Sequence, residues 1–234
     1  MQQNQIKWLK SLSILLIWVT AFIEYKTPER QLSFNGWSVG RMNIDTYNEY
    51  FIKLPFTFNI AELRKSVYIV RNIAKAVIGQ DFNGTSTICL THKKNGDPWE
   101  GQKIRGFYWT RPDDTYEEVK RENPFNEAEF TEFNNHFKHT YFAKVHTFLT
   151  KKYKIGRMRL MILNPRSTIS WHRDPDKRIH IPITSNAGCR HIIEDEVKHI
   201  PATGETWIHD DTKYHTVTNG GETPRISLVT TLLT

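Results

Sequence analysis

The chain has 234 residues, 38% of them hydrophobic, a formal net charge of +7 and a pI near 9.3, which is enough chain for one sizeable core. Its Lys and Arg are spread along the sequence rather than gathered into a dense tract, so the charge reads as a basic soluble protein and nucleic acid is not the expected partner. The two cysteines, Cys89 and Cys189, exclude a disulfide framework and a cysteine-type zinc site, and point to a reducing compartment.

Lys7 and Lys10 precede an apolar run from Leu12 to Ile23, and Val19-Thr20-Ala21 resembles a small-residue cleavage site. The run is too short to span a bilayer, which leaves three readings of residues 1–25: a signal-like leader, a helix packed on the domain, or an upstream extension with Met42 as the next start. Residues 26–59 mix Gly, Pro and Asn with aromatics and read as irregular structure with short strands. From Ile60 to Ile78 the apolar positions Leu63, Val67, Val70, Ala74 and Val77 recur at helical spacing, and Asn59 and Gly79 supply the start and stop signals. Turn residues then break residues 80–125, leaving short strands at Ser86–Thr91 and Lys103–Thr110, with Trp99, Phe107, Tyr108, Trp109 and Arg111 as a candidate substrate wall. A second helix is predicted over Glu127–Lys151 on its stripe of Phe130, Phe133, Phe137, Tyr141, Val145 and Phe148. His136, His139 and His146 on that segment read as surface or packing residues. From residue 154 onward the pattern changes to short β runs, Arg157–Leu163, Arg178–Thr184, Arg190–Glu194, Glu205–His209, His215–Thr218 and Ile226–Leu233, the signature of a sandwich or jelly roll.

Within this β region the run Ser170–Asp176, SWHRDPD, carries the chemistry. In an extended segment His172 and Asp174 leave the same face and can converge on one metal ion. His215 lies 43 residues on and is the third candidate ligand. Two His and one carboxylate with open positions is the facial set of non-heme Fe(II) oxygenases. The H-x-D pattern is expected by chance about 0.4 times in such a chain. A rival pair, His209 and Asp211, has its next histidine, His215, only four residues away and no third ligand from another direction. If the Asn219-Gly220-Gly221 turn closes a hairpin, Arg225 returns beside His215, where a guanidinium can hold a dicarboxylate bidentately.

The segment RMRLMILNPRSTISWHRD, followed by RIHIPI, GCR and GETWIHDDTKYHTVTNGGETPRISLV, resembles the aspartyl/asparaginyl β-hydroxylase family of Fe(II)/2-oxoglutarate-dependent oxygenases. The resemblance implies a mostly β fold with flanking helices, built on a double-stranded β-helix of the cupin-like jelly-roll type. Its domain organisation would be an apolar segment at 1–25, a helix-bearing part at 26–153 and a catalytic core at 154–234. It further implies that His172 and His215 ligate iron, that Arg225 pairs with the distal carboxylate of 2-oxoglutarate, and that Arg178 and His180 are further cosubstrate contacts. Ascorbate would be an accessory reductant. Asp174 matches the acidic ligand of bacterial small-molecule relatives and is missing from the best-known vertebrate members, whereas Met161 replaces a serine that helps hold the cosubstrate there. The expected function is hydroxylation of an amino acid or of an Asp/Asn-type peptidyl residue, with succinate and CO2 as coproducts, in the cytoplasm. A cupin-like protein that binds metal or a small ligand without catalysis is the competing expectation.

Overall fold

A computed structural model describes residues 50–79, 85–102, 108–111, 117–121 and 126–233. The apolar segment 1–25 and residues 103–107 of the expected Lys103–Thr110 strand lie outside the described residues. Among the described residues, no helix is long and apolar enough to cross a membrane.

In chain order the strands are β1 (Phe51–Thr57), β2 (Ser86–Cys89), β3 (Thr91–His92), β4 (Tyr108–Thr110), β5 (Val119–Arg121), β6 (Glu132–Phe133) and β7 (Ile155–Leu163). They continue as β8 (Ser167–Thr168), β9 (Lys177–Thr184), β10 (Cys189–Ile193), β11 (Glu196–Lys198), β12 (Glu205–His209), β13 (His215–Asn219) and β14 (Arg225–Leu232). Among the described residues two helices accompany them, α1 (Ile60–Ile78) and α2 (Tyr141–Lys152). A six-stranded sheet runs β1-β12-β9-β14-β7-β2 and a four-stranded sheet runs β11-β10-β13-β8. From β7 onward the chain passes repeatedly from one sheet to the other, with antiparallel pairing throughout, which is the winding of a double-stranded β-helix. The two sheets face each other without a hydrogen-bonded ladder joining their edges, so the architecture is a cupin-like jelly roll and not a closed barrel.

Period-two alternation divides the long strands in an unusual way. Met158, Leu160 and Ile162 of β7, Ile179, Ile181 and Ile183 of β9, and Ile226 and Leu228 of β14 pack in one apolar cluster with α1 and α2. The main hydrophobic core therefore lies between the six-stranded sheet and the helices. Among the intervening positions Arg157, Arg159, Arg178, His180 and Arg225 are polar, and all of these but Arg157 line the recess between the sheets.

The helix expected at Ile60–Ile78 forms over those residues. Asn59 Oδ1 accepts the N–H groups of Ala61 and Glu62 at 3.0 and 3.2 Å. Gly79 ends the helix at φ +63°, a left-handed conformation that favours glycine. The expected Glu127–Lys151 helix is corrected. Its first half is a 3-10 turn at Glu127–Glu129, strand β6 and a second 3-10 turn at Asn135–Phe137, so that the helix begins only at Tyr141. Pairing decides this: Phe133 and Glu132 lie opposite Thr91 and His92, and the Asn134 N–H bonds the Leu90 carbonyl at 2.9 Å. Phe130 and Phe137 are buried all the same, so the aromatic spacing is met without a helix.

The 3-10 turn delivers Glu127 beneath the sheets. Its Oε1 pairs with Arg157 Nη1 at 3.1 Å and Arg159 Nη1 at 3.2 Å, while its Oε2 meets Arg178 and accepts from Thr231 Oγ1 at 3.0 Å. Burial alone would push this carboxyl up, but Arg178, Arg159 and Arg157 hold it far below the usual carboxylate range. A carboxylate held low contributes stability that is complete above its ordinary pKa of 4.5 and is lost as the pH falls below it. Glu127→Gln leaves buried guanidiniums uncompensated and is expected to cost about 3–5 kcal/mol. Chemical denaturation from pH 7 down to pH 3 should show that loss at neutral pH and a flatter acid limb in the variant; equal midpoints throughout would contradict the role.

Candidate metal and cosubstrate site

The H-x-D segment is held extended by backbone pairing on both sides. His172 exchanges both of its hydrogen bonds with His215, N–H to carbonyl at 3.1 and 2.7 Å, and Arg173 does the same with Trp109 at 2.9 and 3.0 Å. The Asp174 N–H donates to the Asp211 carbonyl at 2.8 Å. The extended conformation turns His172 and Asp174 to one face, as the spacing predicts, and the cross-strand pair sets the His172 and His215 rings 4.3 Å apart.

One ligand atom each from His172, Asp174 and His215 lie within 4.8 Å of one another. The Nδ1–H of His172 donates to the Ser170 carbonyl at 2.6 Å and that of His215 to the Lys213 carbonyl at 3.0 Å. Both imidazoles are thereby fixed with an unprotonated Nε2 on the shared side, the outer bonding that metal-ligating histidines use. Burial, with His215 nearby, pushes the His172 imidazole below its ordinary value and favours the neutral, ligating form. Asp174 offers Oδ1 at 3.9 Å from His172 Nε2, while its Oδ2 is gripped by Arg178 Nε and Nη2 at 3.0 and 2.8 Å. Two imidazoles and one carboxylate, aimed together and held from behind, fit a divalent iron.

The expectation of a hairpin between His215 and Arg225 is corrected. β13 belongs to the four-stranded sheet and β14 to the six-stranded one, so the turn at Asn219–Gly221 is a crossing between sheets. Arg225 and His215 nonetheless line one recess of about 40 Å³, together with His180, His191, His209 and Asp211. A larger cavity of about 370 Å³ shares Arg159, Met161, His172, Asp174, Arg178 and Arg225 with it and adds Tyr108, Gln102 and Thr85–Thr87. Of the expected substrate wall, Tyr108 lines this cavity, Trp109 stacks under Arg173 at 4.0 Å, and Arg111 lies over Tyr214 at 4.4 Å. Trp99 packs against His136 and Phe137, and Phe107 lies outside the described residues.

Arg178 and His180 occupy the recess but are already engaged. Arg178 bonds Asp174, Glu127 and Thr231, and the His180 Nε2–H donates to Asp211 at 3.3 Å. Burial alone would push the Asp211 carboxyl up, yet His215 and His180 hold it below the usual carboxylate range. Asp211 lies 3.9 Å from His215 Nε2, so it borders the metal triad without being one of its three ligand residues.

Sequence reasoning missed a second cluster. His180, His191 and His209 also bring ligand atoms within 4.8 Å of one another, with the His180 and His209 rings stacked at 3.9 Å. Arg225 Nη2 donates to His191 Nε2 at 2.8 Å and takes the lone pair a metal would need. Burial, with Arg225 beside it, pushes His191 well below its ordinary value. A guanidinium against the cluster makes it a poor home for a cation; His191 orients Arg225, and all three imidazoles line the recess. The alternating polar positions of RIHIPI were the available signal for the inward histidine of β9. Nothing local marks His191 and His209 as its neighbours.

The winding of the sheets defines a cupin-like jelly-roll scaffold. The aspartyl/asparaginyl β-hydroxylase family profile matches residues 91–233, and the chain belongs to that family. It is accordingly a 2-oxoglutarate-dependent oxygenase of the hydroxylase type. Solved structures with a similar arrangement include a 2OG-Fe(II) oxygenase family oxidoreductase from Burkholderia pseudomallei, at 14% identity and a TM-score of 0.44 over 79% of this chain and 84% of that one. They also include AviO1 from Streptomyces viridochromogenes Tue57, at 13% identity, TM-score 0.43, and 79% and 90% coverage. A viral collagen prolyl hydroxylase from Paramecium bursaria Chlorella virus-1 is similar at 10% identity, TM-score 0.41, and 79% and 96% coverage. No curated protein matches the sequence.

The grip of Arg178 on Asp174 is testable by itself. Arg178→Met frees Asp174 to rotate and should weaken Co(II) binding, followed by its visible bands, on the order of 10–100-fold. Unchanged affinity in a folded variant would show that Asp174 does not need this support.

Proposed function

We propose that the chain is an Fe(II)- and 2-oxoglutarate-dependent dioxygenase that hydroxylates an amino acid, free or as an Asp/Asn-type residue in a peptide, releasing succinate and CO2. The observation that carries this reading is the convergence of His172, Asp174 and His215, both imidazoles locked by backbone carbonyls, at the wall of a cavity that also contains Arg225. A cavity of about 370 Å³ is of the size that takes a small molecule or one side chain.

Bound together, the ferrous ion and 2-oxoglutarate supply the oxidising chemistry: O2 converts the cosubstrate to succinate and CO2, and one oxygen atom enters a substrate C–H bond. The residues of the chain do the placing. His172, Asp174 and His215 would hold the ion. Arg225, buried and hydrogen-bonded by His191, receives the distal carboxylate; burial pushes its guanidinium down to about 10, partly offset by Cys189 and Asp211, so an incoming carboxylate relieves an under-neutralised charge. Arg178 orients Asp174 and, with His180, lines the space in which the cosubstrate lies. The ferrous state and two buried free thiols fit a reducing, cytoplasmic setting.

Succinate formation from 2-oxoglutarate, measured with Fe(II) and with ascorbate as reductant, tests the reading. Asp174→Ala should abolish iron-dependent turnover, and near-normal turnover would remove it as a ligand. Arg225→Ala should raise the 2-oxoglutarate requirement on the order of 100-fold or more while metal binding persists, since a buried charge pair is lost. A wild type that binds iron and 2-oxoglutarate but forms no succinate would favour the non-catalytic binding protein.

A further inference from the structure

Four guanidiniums reach the space between the sheets, and they are unequally neutralised. Arg157 is fully enclosed, bonded to Glu127, to the Gly101 carbonyl and to Cys89 Sγ. Burial alone would push Arg178 down, but Asp174 and Glu127 more than offset it and raise it above its ordinary value. Arg159 differs: its ion pair is to Glu127 Oε1, an oxygen that Arg157 already takes at 3.1 Å. Burial pushes Arg159 down, Glu127 offsets only part of this, and Arg157 and Arg178 push it further.

Arg159 is also the arginine of the Glu127 network whose side chain is open, at 16% exposure, and it lines both the larger cavity and the recess beside His172 and Asp174. Its position separates it from Arg225. Arg225 stands opposite Leu163 on β7, whereas Arg159 stands opposite Val229, four residues or about 13 Å along the strand. In register Arg159 is therefore not the strand partner of Arg225, although both side chains line the same recess. Among the described residues, the buried carboxylates Glu127, Asp174 and Asp211 fall one short of the four guanidiniums, and a ferrous ion with a dianionic cosubstrate leaves that imbalance unchanged.

We infer that Arg159 is the substrate-recognition residue and that the substrate brings the missing negative charge, a carboxylate close to the carbon that is hydroxylated. This inference rests on the proposed function and narrows it to carboxylic acids, with the carboxylate supplied by the α-carboxyl of a free amino acid or by an acidic side chain. A guanidinium with an unused edge holds a carboxylate bidentately and fixes its orientation, which an amide of the same shape does not reproduce.

The test is anaerobic calorimetry on the full chain loaded with Fe(II) and 2-oxoglutarate, titrated with two matched pairs. L-asparagine against L-asparaginamide tests the α-carboxylate; N-acetyl-L-aspartic acid α-amide against N-acetyl-L-asparagine amide tests the side-chain carboxylate. In at least one pair the acid should bind about tenfold or more tightly than its amide. Arg159→Gln should erase that preference, and Arg159→Lys should restore part of it. Acid and amide bound alike, no acid bound, or a preference that survives in Arg159→Gln would each overturn the inference. If Arg159→Gln does not fold, the paired comparison on wild type decides alone. Failure of wild type to take up 2-oxoglutarate removes the proposed function and this inference together, whereas uptake without acid selection removes the inference only.

Discussion

Glu127 is the constraint on which the interior depends. The strands that form the site place Arg157 and Arg159 on β7 and Arg178 on β9, all turned away from the helices and toward one another. Guanidiniums in a low-dielectric interior are tolerated only with a counter-charge, and one carboxylate carried in on a 3-10 turn serves all of them. Through Arg178 the same carboxylate reaches Asp174, whose Oδ2 is held from behind while Oδ1 faces the two imidazoles. The Asp174 carboxylate is thus positioned by a network that begins at the Glu127 turn.

The six-stranded sheet turns an apolar face to α1 and α2, and its other face carries arginines, histidines and carboxylates beside a smaller apolar cluster of Phe51, Ile193, Ile200 and Trp207. Stability and chemistry are therefore assigned to opposite sides of the same strands, residue by residue along β7, β9 and β14. Two groups of three ligand-bearing residues result, and they differ in what faces them. His172, Asp174 and His215 present free Nε2 atoms and a carboxylate oxygen, while His180, His191 and His209 have a guanidinium against them. The first arrangement invites a cation, and the second prepares Arg225 for an anion.

The parts governed by local rules were legible in the sequence. Helix α1 follows from its apolar period, Asn59 and Gly79, and the β series from residue 154 follows from its turn residues. The convergence of His172 and Asp174 follows from strand periodicity, which backbone pairing to His215 and Trp109 then enforces. What was not legible depended on which strands become neighbours. The aromatic spacing of residues 127–151 fits a helix equally well, and only pairing with Thr91 and His92 prevents one. The turn after Asn219 looks like a hairpin locally, and only the sheet order shows it crossing between layers. No local signal in the sequence marks the pairing of Glu127 with Arg157 and Arg159, because the partners lie 30 residues and more apart.

Iron stoichiometry in single-site variants tests the central claim most directly, because it separates the two clusters. Anaerobic titration with Fe(II), with bound metal counted after desalting, should give one equivalent in wild type and in His209→Phe, and a large loss in His172→Ala and in His215→Ala. Retention of iron in His172→Ala and His215→Ala together with its loss in His209→Phe would place the metal among the other three histidines and contradict the account.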